Sequence, residues 1–166
     1  MKKNIIRVLL ILLLIADMAF IFSNSAQTAT VSSSASQSVT EIVAPVIVPH
    51  YKDMDETSKQ QTVNSLESVL RETAHLLQFV PLGFALYLLL VTSELPEKIR
   101  RICLPITLLF GLLYAVSDEI HQLFVPGRSF QLFDIFMDTC GVTLGCIAGI
   151  LVTVIFRSIS QKHPGE

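Results

Sequence analysis

Four apolar runs, each near the length that crosses a lipid bilayer, constrain this chain more than any other feature. A helix needs about 20 apolar residues to traverse a hydrocarbon core roughly 30 Å thick. Residues 5–22 meet that length, interrupted only by Asp17, and so do residues 74–92 and 135–156. The third run, residues 102–116, is short, covering roughly 22 Å at ~1.5 Å per residue. To cross, its helix must continue to about Gln122, which carries Asp118 and Glu119 to the membrane's margin. Within lipid the backbone must satisfy its own polar groups, which helices do. The expected fold is therefore all-α, a membrane protein whose four transmembrane helices (about 5–22, 74–92, 102–122 and 135–156) form one domain over residues 1–166. A hydrophobic content of 51% agrees with that class.

The basic residues set the expected orientation. With both termini in the cytoplasm, Lys2, Lys3, Arg7, Lys98, Arg100, Arg101, Arg157 and Lys162 lie inside, and Lys52, Lys59, Arg71 and Arg128 lie outside. The expected location is a multi-pass cell-membrane protein. The first run also has the outline of a signal peptide, but it is long for one, contains Asp17 and lacks a good cleavage pattern. Cleavage there would leave the other three helices in place.

Residues 23–73 form a long outer segment. Its start, "SNSAQTATVSSSASQS", reads as a solvated linker or a short helix lying on the membrane. "EIVAPVIVPH" is too short to span and is broken by Pro45 and Pro49, so it reads as interfacial or re-entrant. Residues 58–71 read as a helix feeding straight into the second span, with Val63, Leu66, Val69 and Leu70 on one face.

Ionisable groups gather at the outer ends of the spans. Arg71 and His75 share a face of the second helix, and Asp118, His121 and Gln122 share a face of the third. Glu119 lies beside them, and Asp134 and Asp138 open the fourth helix one turn apart. Such groups persist near lipid only if they pair, face the bundle interior or line a wet cavity. Arg71, Arg128 and a charged histidine can offset much of the charge of the four carboxylates. The loop 123–134 covers them, with Pro126–Gly127 in the form of a type II turn and Phe124, Phe130 and Phe133 able to hold it in the interface. From that turn Arg128 can pair with an acid or grip a phosphate or carboxylate. Arg71, His75, Asp118, Glu119, His121, Gln122, Arg128, Asp134 and Asp138 are thus the candidate ligand-binding set, with structural pairing the competing reading for each.

No compact ligand motif marks a metal, and no cofactor is expected. Cys103, Cys140 and Cys146 lie in apolar runs and read as packing residues. A net charge of −2 without a basic stripe argues against a nucleic-acid partner. Gly141, Gly145 and Gly149 line one face of the last helix at intervals of four, which suits close helix packing within the bundle or a homo-oligomer formed through that face.

The block "SDEIHQLFVPGRSFQLFDIFMDTCGVTLG", supported by "AHLLQFVPLG" and "FSNSAQ", resembles the VanZ-like family of small bacterial membrane proteins. Glu72 stands where that pattern suggests lysine, and Gln78–Phe79 where it suggests Glu-Tyr. The resemblance implies an envelope role linked to resistance against glycopeptide antibiotics of the teicoplanin type, and it carries over no catalytic residues. Expected partners are membrane lipid and a lipid-linked cell-wall precursor or the glycopeptide itself, bound at the polar site without catalysis. The alternative is a membrane enzyme acting on a lipid-linked substrate, with His75 or His121 as general base and Arg128 stabilising negative charge. A transporter fits less well, because no polar path crosses the inner halves of the last two helices.

Overall fold

The computed structural model describes residues 2–162. Residues 1 and 163–166, which the single-domain reading includes, lie outside the described residues. The chain runs α1 (Lys2–Ser25), α2 (Ala29–Ile47), a 3₁₀ turn (Tyr51–Asp53), α3 (Glu56–Thr92), α4 (Glu97–Arg100), α5 (Cys103–Gln122) and α6 (Leu132–Lys162), with no strand among the described residues. Four of these helices, α1, α3, α5 and α6, are long and apolar enough to cross a membrane. They alternate in direction, so the chain begins and ends at one end of the bundle and the polar stretch lies at the other.

Between α1 and α3 the chain is more ordered than a linker. α2 absorbs both the serine-rich stretch and most of "EIVAPVIVPH", with Pro45 inside its last turn. Its hydroxyls bond back to the helix, Ser34 Oγ to Val31 O at 2.9 Å, Ser38 Oγ to Ser34 O at 2.9 Å and Thr40 Oγ1 to Ser36 O at 2.8 Å. Thr40 and Ala44 are buried where α2 packs on α3, whose Val63 is buried too. Of residues 41–50, seven continue this helix, which packs on α3. α3 is one helix of 37 residues, about 56 Å at ~1.5 Å per residue, so it outruns a ~30 Å core by nearly half its length. Its start is capped by Asp55, whose carboxylate accepts from Ser58 N at 2.9 Å. α2 and the first half of α3 thus make a helical hairpin beyond the spanning bundle.

Packing centres on α3 and α6, the most extensive helix pair in the structure. Ile21, Phe79, Leu82, Ala115, Ile135, Val142 and Cys146 form the buried core. Glycines set how close the two helices come. A methyl group on Gly141 would overlap Leu76 O, one on Gly145 would overlap Val80 O and meet Phe84 N at 2.6 Å, and one on Gly83 would overlap Val142 O. The glycine face of α6 is thus packed against α3, at Gly149 against the Tyr87 ring. At the termini end, Arg7 closes α3 by donating to Thr92 O from Nε at 3.1 Å and from Nη2 at 2.7 Å.

Candidate functional site

At the hairpin end, two short connections are tied together. Ala29 N donates to Pro126 O at 3.2 Å, and Arg128 Nε donates to Gln27 O at 3.3 Å. The second connection is the expected type II turn: Arg128 N donates to Val125 O at 3.1 Å, and Gly127 has φ 79°. That positive φ is why glycine sits there. Arg128 is thereby held over the mouth of the bundle, against the start of α2.

Below it lies a cavity of about 150 Å³ lined by Asn24, Ser25, Gln27, Ser32, Ser36, Arg71, His75, Gln78 and Arg128, among others. A second cavity of about 130 Å³ adjoins it, lined by Ser32, Ser33, Arg71, Gly127, Arg128, Ser129 and Gln131 with Ala29. Arg71, Arg128 and Ser32 belong to both. No carboxylate lines either one. Among the described residues neither guanidinium forms an ion pair, although several acids lie near. Burial, and next the charge of Arg71, hold the Arg128 guanidinium below its ordinary value, with Asp134, Glu119 and Asp118 pulling it back up. An arginine so placed stays cationic, so two positive charges face shared space.

The acids form a floor layer outside both linings. Asp118 and Glu119 are buried near the end of α5, and Asp134 and Asp138 at the start of α6. Each answers to a different neighbour. Ser25 Oγ donates to Asp118 Oδ2 at 2.6 Å, and Gln122 Nε2 donates to the same oxygen at 3.1 Å. Glu119 Oε2 accepts from Gln131 N at 2.7 Å, satisfying a backbone donor just ahead of α6. Asp134 sits in the first turn of α6, where the helix dipole favours a negative charge. His75 Nδ1 is 3.5 Å from Asp138 Oδ1, near enough for ion-pair attraction but too long for a good hydrogen bond. Both Asp138 oxygens are therefore without a hydrogen-bond partner, as are Glu119 Oε1 and Gln122 Oε1. Buried polar atoms without partners are uncommon and costly in folded proteins. Gln78 links the floor to the rim: its Nε2 is 3.4 Å from His75 Nδ1, and Asn24 Nδ2 donates to its Oε1 at 3.4 Å.

The residues singled out from sequence therefore divide. Arg71, His75 and Arg128 line the first cavity. Asp118, Glu119, Gln122, Asp134 and Asp138 lie buried beside it without lining it. His121 stands apart, stacked on Phe22 with ring centroids 4.5 Å apart, and its Nε2 is buried without a partner. Asp17 keeps one unpartnered oxygen in α1 and makes no hydrogen bond to the cluster. The hydroxyls and amides of the cavity walls escaped the sequence reading: Ser25, Asn24, Gln27, Ser32, Ser36 and Gln78. Asn24, Ser25 and Gln27 lie in "FSNSAQ" directly after an apolar span, Ser32 and Ser36 in the serine-rich stretch that follows, and Gln78 in "AHLLQFVPLG", without any of these stretches pointing to a cavity. No group of histidines, cysteines and acids suited to a metal occurs among the described residues.

A family model described as VanZ/LLP1 matches residues 9–157, which takes in most of the first and last spans, the two between them and both cavities. No curated protein and no solved structure matches.

Proposed function

The chain belongs to the VanZ/LLP1 family, and from that premise we propose that it is an envelope protein whose paired cavities bind the anionic head group of a membrane lipid or lipid-linked cell-wall precursor. One observation carries this reading. Two guanidiniums from separate segments, Arg71 and Arg128, line the same cavities, no carboxylate lines either cavity, and neither arginine is in a direct ion pair among the described residues. Arginine grips phosphate and carboxylate through two parallel N–H donors, so an anion is the natural complement. The hydroxyls of Ser32 and Ser36 add neutral donors around it. A cavity near 150 Å³ has room for about five waters at roughly 30 Å³ each, which suits a head-group phosphate and excludes a whole glycopeptide.

In this reading the hairpin end faces out of the cell, as the distribution of basic residues suggests. Occupying or masking an envelope lipid there lowers susceptibility to teicoplanin-type glycopeptides, and both termini are cytoplasmic. The test is glycopeptide susceptibility in cells expressing Arg71→Ala, Arg128→Ala or Glu119→Gln, with membrane levels matched by immunoblot. Loss of protection in the arginine variants is expected. Full protection from every variant would count decisively against the site.

A second reading, catalysis on a lipid-linked substrate, is favoured by the His75–Asp138 pair. With Nδ1 turned to Asp138, Nε2 is the nitrogen left for the cavity that His75 lines. His121, the other candidate base, lines neither cavity. Incubating purified protein with labelled envelope lipids and reading the products by mass spectrometry decides it. Substrates recovered unchanged across phosphorylated and glycosylated lipids would remove this reading.

A further inference from the structure

The two cavities are small, adjoining, and walled in common by Arg71, Arg128 and Ser32. One opens over Ser25, Ser36, His75 and Gln78, the other over Ser33, Ser129 and Gln131. Each is scaled to a single tetrahedral oxyanion, and each has its own hydroxyl donors. The guanidiniums between them present two positive charges, and the acids that act on Arg128 from nearby, Asp134, Glu119 and Asp118, line neither cavity. A phosphodiester brings a single tetrahedron and would leave one cavity empty. A phosphate monoester brings about −1.5 to −2 at neutral pH but fills one cavity only. A diphosphate brings at least as much charge on two linked tetrahedra.

We propose that the paired cavities recognise a diphosphate group, one phosphoryl facing each cavity, with Arg71 and Arg128 bridging the two. This deepens, and rests on, the anion-binding reading above. The first cavity takes one phosphoryl beside His75, Gln78 and Ser36. The other receives its neighbour among Ser33, Ser129 and Gln131. An isoprenoid chain on the diphosphate leaves toward lipid, and a free inorganic diphosphate offers the same polar chemistry without it.

The full chain in phosphatidylcholine nanodiscs is titrated calorimetrically with farnesyl diphosphate, farnesyl monophosphate and inorganic pyrophosphate. Farnesyl diphosphate is expected to bind about tenfold tighter than the monophosphate, or better, one tenfold step corresponding to ~1.4 kcal/mol. The Ser33→Ala/Ser129→Ala double variant touches the second cavity alone. It should bring the diphosphate toward the monophosphate's affinity and leave the monophosphate within about twofold. Arg128→Gln should weaken both ligands by tenfold or more. Pyrophosphate matching farnesyl diphosphate would assign recognition to the diphosphate alone, and farnesyl diphosphate exceeding it would assign a lipid. Equal affinities for mono- and diphosphate in the wild-type protein, with both lost in Arg128→Gln, would overturn the diphosphate and leave the single-anion reading standing. No binding of any probe would overturn both. The wild-type ratio of the two farnesyl ligands needs no variant, so it holds even if a substitution unfolds the chain.

Discussion

Replacing Gly145 by alanine tests the packing that brings the site together. The added methyl would overlap Val80 O and lie 2.6 Å from Phe84 N, both backbone atoms of α3. Comfortable separation for such atoms is about 3.5 Å, so the helices must part by roughly 1 Å. No rotamer relieves the overlap, because neither atom belongs to a side chain. That movement loosens Phe79, Leu82, Val142 and Cys146 together, since they pack across the same seam. Overpacking of this kind costs about 1–3 kcal/mol. For a chain of this size that corresponds to a fall in Tm of roughly 2–4 °C per kcal/mol. Two controls grade the effect. Gly149→Ala meets only the Tyr87 ring, at 2.7 Å, which can turn aside, so its loss should be smaller. Leu144→Ala alters a side chain 48% exposed on the outside of the bundle and should stay within ~0.5 kcal/mol. Thermal unfolding in a mild detergent, followed by helical circular dichroism, reads all three. A Gly145→Ala protein that melts with Leu144→Ala and the wild type would refute the close approach of α3 and α6.

Four further outcomes follow from the geometry. Gly127→Ala puts a side chain at φ 79° and 3.0 Å from Ala29 Cβ, so it should displace Arg128 and weaken anion binding while the melting temperature falls by only about 1 kcal/mol equivalent, as titration and unfolding of the same sample would show. Ser25→Ala removes the 2.6 Å hydrogen bond to buried Asp118 and should lower unfolding stability by about 1–3 kcal/mol, whereas Ser25→Thr should recover part of it. Asp138→Asn takes a charge from a carboxylate with no hydrogen-bonded oxygen, so stability should hold or rise while glycopeptide protection falls. The capping bond from Ser58 N holds the Asp55 carboxyl below its ordinary value of 3.8, so its contribution is complete above that value and disappears as pH drops through the lower folded one; hydrogen exchange at the start of α3 should quicken over that acid range and be fast at every pH in Asp55→Ala.

Much of the fold was legible because bilayer thickness is a strict ruler. The four spans follow from apolar run length, and α5 ends at Gln122, where the short third run had to be extended. α1, α3 and α6 run past the expected ends because polar residues beyond the lipid continue a helix at little cost. The serine-rich stretch left a linker and a short helix both open because its composition suits either, and it is a helix. What makes it helical is tertiary: Thr40 and Ala44 bury against α3, and its hydroxyls fold back on their own turns. The glycine spacing of α6 was plain, but its partner was not, since Gly83 is a lone glycine on α3 whose meaning appears only when Val142 lies against it. For the site, depth along the helices groups Arg71, His75 and Asp118 near one end, and Arg71 and His75 line one cavity with Arg128 of the loop. Which acids would line the cavity and which would lie beneath it depends on helix rotation, which spacing within a single helix does not fix. Ser25 joins through Asp118 of α5, and Gln78 through Asn24 of α1 as well as its own helix neighbour His75, and spacing within one helix does not show the contacts between helices.

The account turns on Arg71 and Arg128 sharing one cavity that opens at the extracytoplasmic face. A double variant, Arg71→Cys with Arg128→Cys and the three native cysteines replaced by serine, makes that directly measurable. A short, membrane-impermeant bifunctional thiol reagent added to intact cells should join the two positions within the monomer, and peptide mass mapping should recover the linked pair. Linkage obtained only in inverted vesicles, or two thiols modified separately and never joined, would contradict the account.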